Sequence, residues 1–98
     1  MRRLQPSEQL RLRPVPEMDL CLAYLRRPPR LLRLNLEAWA LIEAVETCAN
    51  LARQEAAILR LLDDCGWQLN AAELAAMLQP LEEQGLLVAA PEAAAAAE

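Results

Sequence analysis

The sequence predicts an α+β domain in which a three-stranded antiparallel sheet is followed by three helices. Residues 9–34 hold short apolar stretches at strand period, broken by arginines and prolines. Residues 36–84 instead carry their apolar side chains at helical spacing. Leu34-Asn35 joins the two regimes, with Asn35 placed to cap the first helix by accepting from its free N–H groups.

Residues 1–8 are polar, contain Pro6 and are expected to form a flexible N-terminus. In residues 9–13, Leu10 and Leu12 alternate with Arg11 and Arg13, the pattern of a half-buried strand that Pro14 and Pro16 are expected to end. Residues 18–26 place Met18, Leu20, Leu22 and Tyr24 on one face and Cys21, Ala23 and Leu25 on the other. With both faces mostly apolar, this is the expected central strand. Pro28-Pro29 makes a turn, and a third strand over residues 30–35 closes the sheet. The first helix covers about 36–46, with Glu37 suiting its dipole and Trp39, Ile42 and Val45 on one face. A second helix is expected over about 50–64, stopped by Gly66. Asn70 and Glu73 resemble a capping box opening the third helix, whose apolar side carries Leu74, Met77, Leu78 and Leu81. Pro80 removes an N–H from that helix and is expected to kink or break it. Gln84-Gly85 ends the element, residues 86–88 offer a short last strand, and residues 90–98 read as a disordered or weakly helical alanine-rich tail.

The net charge of −4 conceals two opposite halves. Up to Leu34, eight arginines face three acids, a net of +5; from Asn35 onward two arginines face eleven acids, a net of −9. Cys21, Cys48 and Cys65 are odd in number and widely spaced, and the chain has no histidine, which disfavours a disulfide framework or a zinc site. Reduced thiols are the expectation. No apolar run reaches the ~18 residues of a membrane span, and no signal-peptide core follows Met1-Arg2-Arg3. A soluble, cytoplasmic protein without a cofactor is expected.

Catalysis is disfavoured. Histidine, the commonest general base, is absent, and a chain with two glycines has no phosphate-cradling loop. Asp63-Asp64 and Glu82-Glu83 are adjacent on helices, point apart, and read as surface carboxylates. Three strands with three helices also suggest a winged helix-turn-helix, whose recognition helix carries Arg, Lys, Asn or Gln to DNA. Here residues 71–84 hold no basic residue and carry Glu73, Glu82 and Glu83, which repel phosphate.

Taken together, the strand pair, the Leu34-Asn35 joint and the segment Leu81-Glu82-Glu83-Gln84-Gly85-Leu86-Leu87 resemble the PqqD-like family. These are peptide-recognition domains that serve ribosomally made, post-translationally modified peptides. The resemblance spans about residues 9–89. Between the first two helices Glu46-Thr47-Cys48-Ala49 stands where that family usually has an acidic residue and a glycine. The resemblance implies a non-catalytic, winged-helix-like module that captures the leader of a precursor peptide as an added strand and presents it to a modifying enzyme, often a radical-SAM protein. Carried over, the receiving edge is Arg30, Leu31, Leu32, Arg33 and Leu34. The groove is lined by Leu31 or Leu32 and by Leu34, with Leu74, Met77, Leu78 and Leu81. Arg26 and Arg27, with Arg30 and Arg33, are placed to attract an acidic leader; the same arginines also serve to block edge-to-edge aggregation. The alternatives are a winged-helix DNA-binding regulator and a structural subunit of an enzyme complex. Neither nucleic acid nor membrane is an expected partner, and monomer and homodimer both remain open.

Overall fold

The pleat of one central strand organises the molecule. A computed structural model describes residues 3–51 and 53–90; the leading two residues and the alanine-rich segment 91–98 lie outside the described residues. The elements run β1 (Leu4–Pro6), β2 (Leu10–Val15), β3 (Leu20–Arg26), β4 (Pro29–Asn35), α1 (Leu36–Thr47), α2 (Gln54–Asp64), α3 (Ala71–Glu83) and β5 (Leu87–Ala89). The fold is α+β, with β2, β3 and β4 forming an antiparallel sheet in that order. The expected central strand is therefore central. Cys21, Ala23 and Leu25 of β3 point inward and are buried, together with Leu10 and Leu34 from its neighbours. Its other face is covered only toward Leu20, which is buried; farther along Tyr24 is 43% exposed and Leu31 beside it 66%.

β2 continues through Pro14 to Val15, past the stop expected there. The reason is its edge position. Arg26 donates its N–H to the Gln9 carbonyl, so residues 9, 11, 13 and 15 bond to β3 and residues 10, 12 and 14 turn their backbone groups away. The nitrogen that proline cannot protonate thus lies on the open side, where no ladder bond is lost.

Asn35 ends β4 and caps α1 at once, its Oδ1 accepting from the Ala38 N–H at 2.7 Å. With no linker between strand and helix, α1 lies across the sheet and buries Leu41, Ile42, Ala44 and Val45. Asn70 and Glu73 make the full capping box at α3, with reciprocal bonds of 2.8 and 3.0 Å. Both glycines end helices in the left-handed region. After α2, Gly66 (φ +86) and Trp67 donate back to Asp63 and Leu62; after α3, Gly85 (φ +78) and Leu86 donate to Glu82 and Leu81. Each is a Schellman ending, in which the apolar residue after the glycine returns over the last turn. Pro80 does not end α3, which runs unbroken to Glu83.

Two further expectations are corrected. The N-terminal segment does not fray as a whole: β1 pairs antiparallel with β5, Leu4 opposite Ala89 and Pro6 opposite Leu87, and Leu4 is 1% exposed. α2 begins at Gln54, four residues after the expected start, and leaves Leu51 exposed. One contact accounts for the first. Gln54 is buried, its Oε1 accepting from the Leu4 N–H at 2.7 Å and its Nε2 donating to the Leu4 carbonyl at 2.6 Å. The amide acts as a second strand partner for β1, satisfying backbone groups that burial would otherwise orphan.

Gln54→Ala removes both partners from Leu4 and is expected to cost about 2–4 kcal/mol in urea unfolding, from two buried backbone groups left unpaired. Gln79→Ala, on the exposed side of α3, should change stability by less than about 0.5 kcal/mol. Equal effects at the two positions would contradict the role given to Gln54.

Candidate functional site

A sheet of three strands has two edges, and here they differ. On β2 the outward groups are taken at Leu10 and reduced at Pro14, leaving Leu12 as the one outward residue with both N–H and C=O open. The Leu10 N–H donates to the Ser7 carbonyl at 3.1 Å, the Leu10 carbonyl accepts from Arg11 Nη1 at 2.8 Å, and Pro14 has no N–H. On β4 the same alternation carries through the register: Arg30, Leu32 and Leu34 bond toward β3, while Leu31 and Arg33 turn their N–H and C=O groups outward. Among the described residues no strand pairs with that side of β4. Unpaired N–H and C=O groups at alternate residues are what an incoming strand pairs with.

The expected site residues divide along this pleat. Leu31 and Arg33 project onto the exposed outer face, so Leu31 belongs to the edge and not to the inward groove. Leu32 and Leu34 project inward, Leu32 half-buried and Leu34 9% exposed. Arg30 lies at the inward end of the strand and donates from Nη2 to the Gln84 carbonyl, tying β4 to the end of α3. On that helix Leu74, Leu78 and Leu81 are 0, 1 and 6% exposed and fill the core. Met77 is half-buried, so Leu32 and Met77 are the apolar positions still partly open on this side. Arg26 is not on the β4 edge: its guanidinium donates to the Glu8 carbonyl, and with Arg27 and Gln9 it lines a polar hollow at the β3–β4 hairpin.

The sequence reading missed what makes the two edges unequal. Ser7 and the Arg11 guanidinium close part of β2, and a residue-by-residue scan for pattern has no way to see a side chain folding back on its own strand.

Cys21 and Cys48 are buried free thiols, and Cys65 is an exposed one. Burial pushes the Cys21 thiol up, a backbone hydrogen bond at Arg13 opposes this, and the Glu43 charge adds to it. Burial alone raises Cys48. Both thiols therefore stay protonated in the fold, which does not favour them as nucleophiles. Among the described residues no three His, Cys, Asp or Glu side chains gather to hold a metal, and no helix is long and apolar enough to cross a membrane. No protein-family model matches the chain, and neither a curated protein nor a solved structure matches it.

The two raised thiols set an alkaline limit. Their folded pKa lies above the ordinary 9.0, so their contribution is fully present below pH 9 and is lost as the pH rises through the folded value. Unfolding free energy measured from pH 8 to 11 is expected to fall above pH ~9, and a Cys21→Ala, Cys48→Ala double variant should flatten that fall. A fall of unchanged steepness in the variant would contradict the assignment.

Proposed function

We propose that this chain is a non-catalytic peptide-recognition module that captures the leader segment of a precursor peptide by strand addition at β4. On this reading it presents the peptide to a modifying enzyme, of the radical-SAM class that the resemblance implies, in the reducing setting of the cytoplasm. The observation that carries the reading is the inequality of the two sheet edges: on β2 the Leu10 groups are taken by Ser7 and Arg11 and Pro14 has no N–H, whereas on β4 no strand among the described residues pairs with the outward groups of Leu31 and Arg33. A winged-helix-like arrangement, with β4 feeding α1 and α3 tied back to β4 through Arg30 and Gln84, accords with it.

The energetics require more than backbone pairing. About four to five new hydrogen bonds at ~1 kcal/mol net each are offset by ordering some six leader residues at ~1–2 kcal/mol each. Apolar anchors at ~1.5–3 kcal/mol each therefore supply the net affinity. Leu32 and Met77 are the half-buried surfaces such anchors would meet on the inward side, and Leu31 on the outward side. With two or three anchors the affinity falls on the order of micromolar. Arg33, exposed beside the edge, favours a leader with acidic residues on its outward-facing side.

Titration with the cognate precursor should saturate below ~100 µM. Leu31→Pro removes an outward N–H without touching the β3 ladder and should abolish binding, whereas Leu12→Pro, the matching position on β2, should leave it intact. Arg33→Glu should weaken binding by about tenfold or more through like-charge repulsion of an acidic leader. A folded Leu31→Pro variant that binds normally would exclude strand addition.

A further inference from the structure

Apart from the β4 edge, α1 and the end of α2 enclose a cleft of about 450 Å3. Trp39, Ala40 and Glu43 stand on one wall and Leu61, Leu62 and Trp67 on the other. Both tryptophans of the chain therefore meet in one place, each half-buried, in a protein with a single further aromatic residue. The lining is apolar except at Thr47, Cys65 and Glu43, its one charged residue; Glu43 Oε1 accepts from the Trp39 indole N–H at 3.1 Å. That bond holds the carboxylate against the indole at the cleft wall. Among the described residues no arginine lines the cleft, and of the exposed charges adjacent in sequence to its lining, Glu46, Asp63 and Asp64 are acidic and Arg60 is basic.

We propose that this cleft docks a partner protein through an arginine carried on an apolar segment. Two indoles and one carboxylate suit that side chain in each of its parts. Its methylene stem lies along apolar walls, and its planar guanidinium meets aromatic faces and a carboxylate together. A wholly apolar anchor would bury Glu43 without a cation, and an acidic one would be repelled by Glu43 and by the net −9 of the helical half. Tryptophan is also the residue most often found carrying binding energy at protein interfaces. The site shares no residue with the β4 edge and stands whether or not that edge binds a leader. Together the two sites would let opposite faces of charge select opposite partners, acidic at the strands and basic at the helices.

Because both tryptophans line the cleft, intrinsic fluorescence reads its occupancy directly. The full chain is titrated with acetyl-leucyl-arginyl-leucinamide and with the same peptide carrying citrulline, which keeps the shape and removes the charge. A saturable fluorescence change with the arginine peptide is expected, about tenfold weaker with citrulline, as for loss of one charge-assisted contact. Glu43→Gln, at an exposed position and with its fold checked by circular dichroism, should erase that difference. Equal response to both peptides, or no saturable response to either, overturns the proposal. Sedimentation run alongside covers the remaining occupant: concentration-dependent self-association that Glu43→Gln removes would assign the cleft to a second copy of the chain and would equally overturn it.

Discussion

The alternation of backbone hydrogen bonds along β3 is the constraint from which the rest of the sheet follows. Once Arg26 donates to Gln9, every residue of β2 and β4 is assigned a direction for its backbone groups and a face for its side chain. Leu10, Leu34 and the β3 residues Cys21, Ala23 and Leu25 go to the core; Arg11, Tyr24, Leu31 and Arg33 go to solvent. Pro14 and Pro29 both fall at positions whose nitrogen points off the sheet, so neither proline costs a ladder bond. A slip of one residue would exchange the two faces and put arginines into the core, which is why the register is strongly specified.

The opposite end of the domain is held by a different device. β1 and β5 are three residues each, too short to stand as an independent hairpin. They persist because Leu4, Leu86 and Leu87 are buried and because Gln54 supplies β1 with the partner that a third strand would otherwise provide. Among the described residues Gln54 is thus the one buried polar side chain, and its Oε1 and Nε2 each have a partner.

Local chemistry was well legible in the sequence. Asn35 and the Asn70–Glu73 box, Gly66 and Gly85, and the doubly apolar central strand each state their roles through residue type and spacing over a few positions, and each stands where it was expected. What was not legible depends on partners far along the chain. Leu4 looks like part of a polar leader until β5 pairs with it, and Gln54 looks like an ordinary helical residue until it meets Leu4 fifty positions away. The candidate edge divides in the same manner. The strand itself was readable, but which of Leu31 and Leu32 faces inward depends on register. How much of Leu74, Leu78 and Leu81 the core consumes depends on the packing of α3 against α1, α2 and β5.

Strand addition at β4 is the central claim, and amide hydrogen exchange tests it at single-residue level, with and without saturating precursor. In the free chain Leu31 and Arg33 should exchange quickly while Leu32 and Leu34, bonded to β3, are already protected; on binding, Leu31 and Arg33 should gain protection together. Protection of Leu31 and Arg33 before any peptide is added, or fast exchange that persists at saturation, would contradict the account.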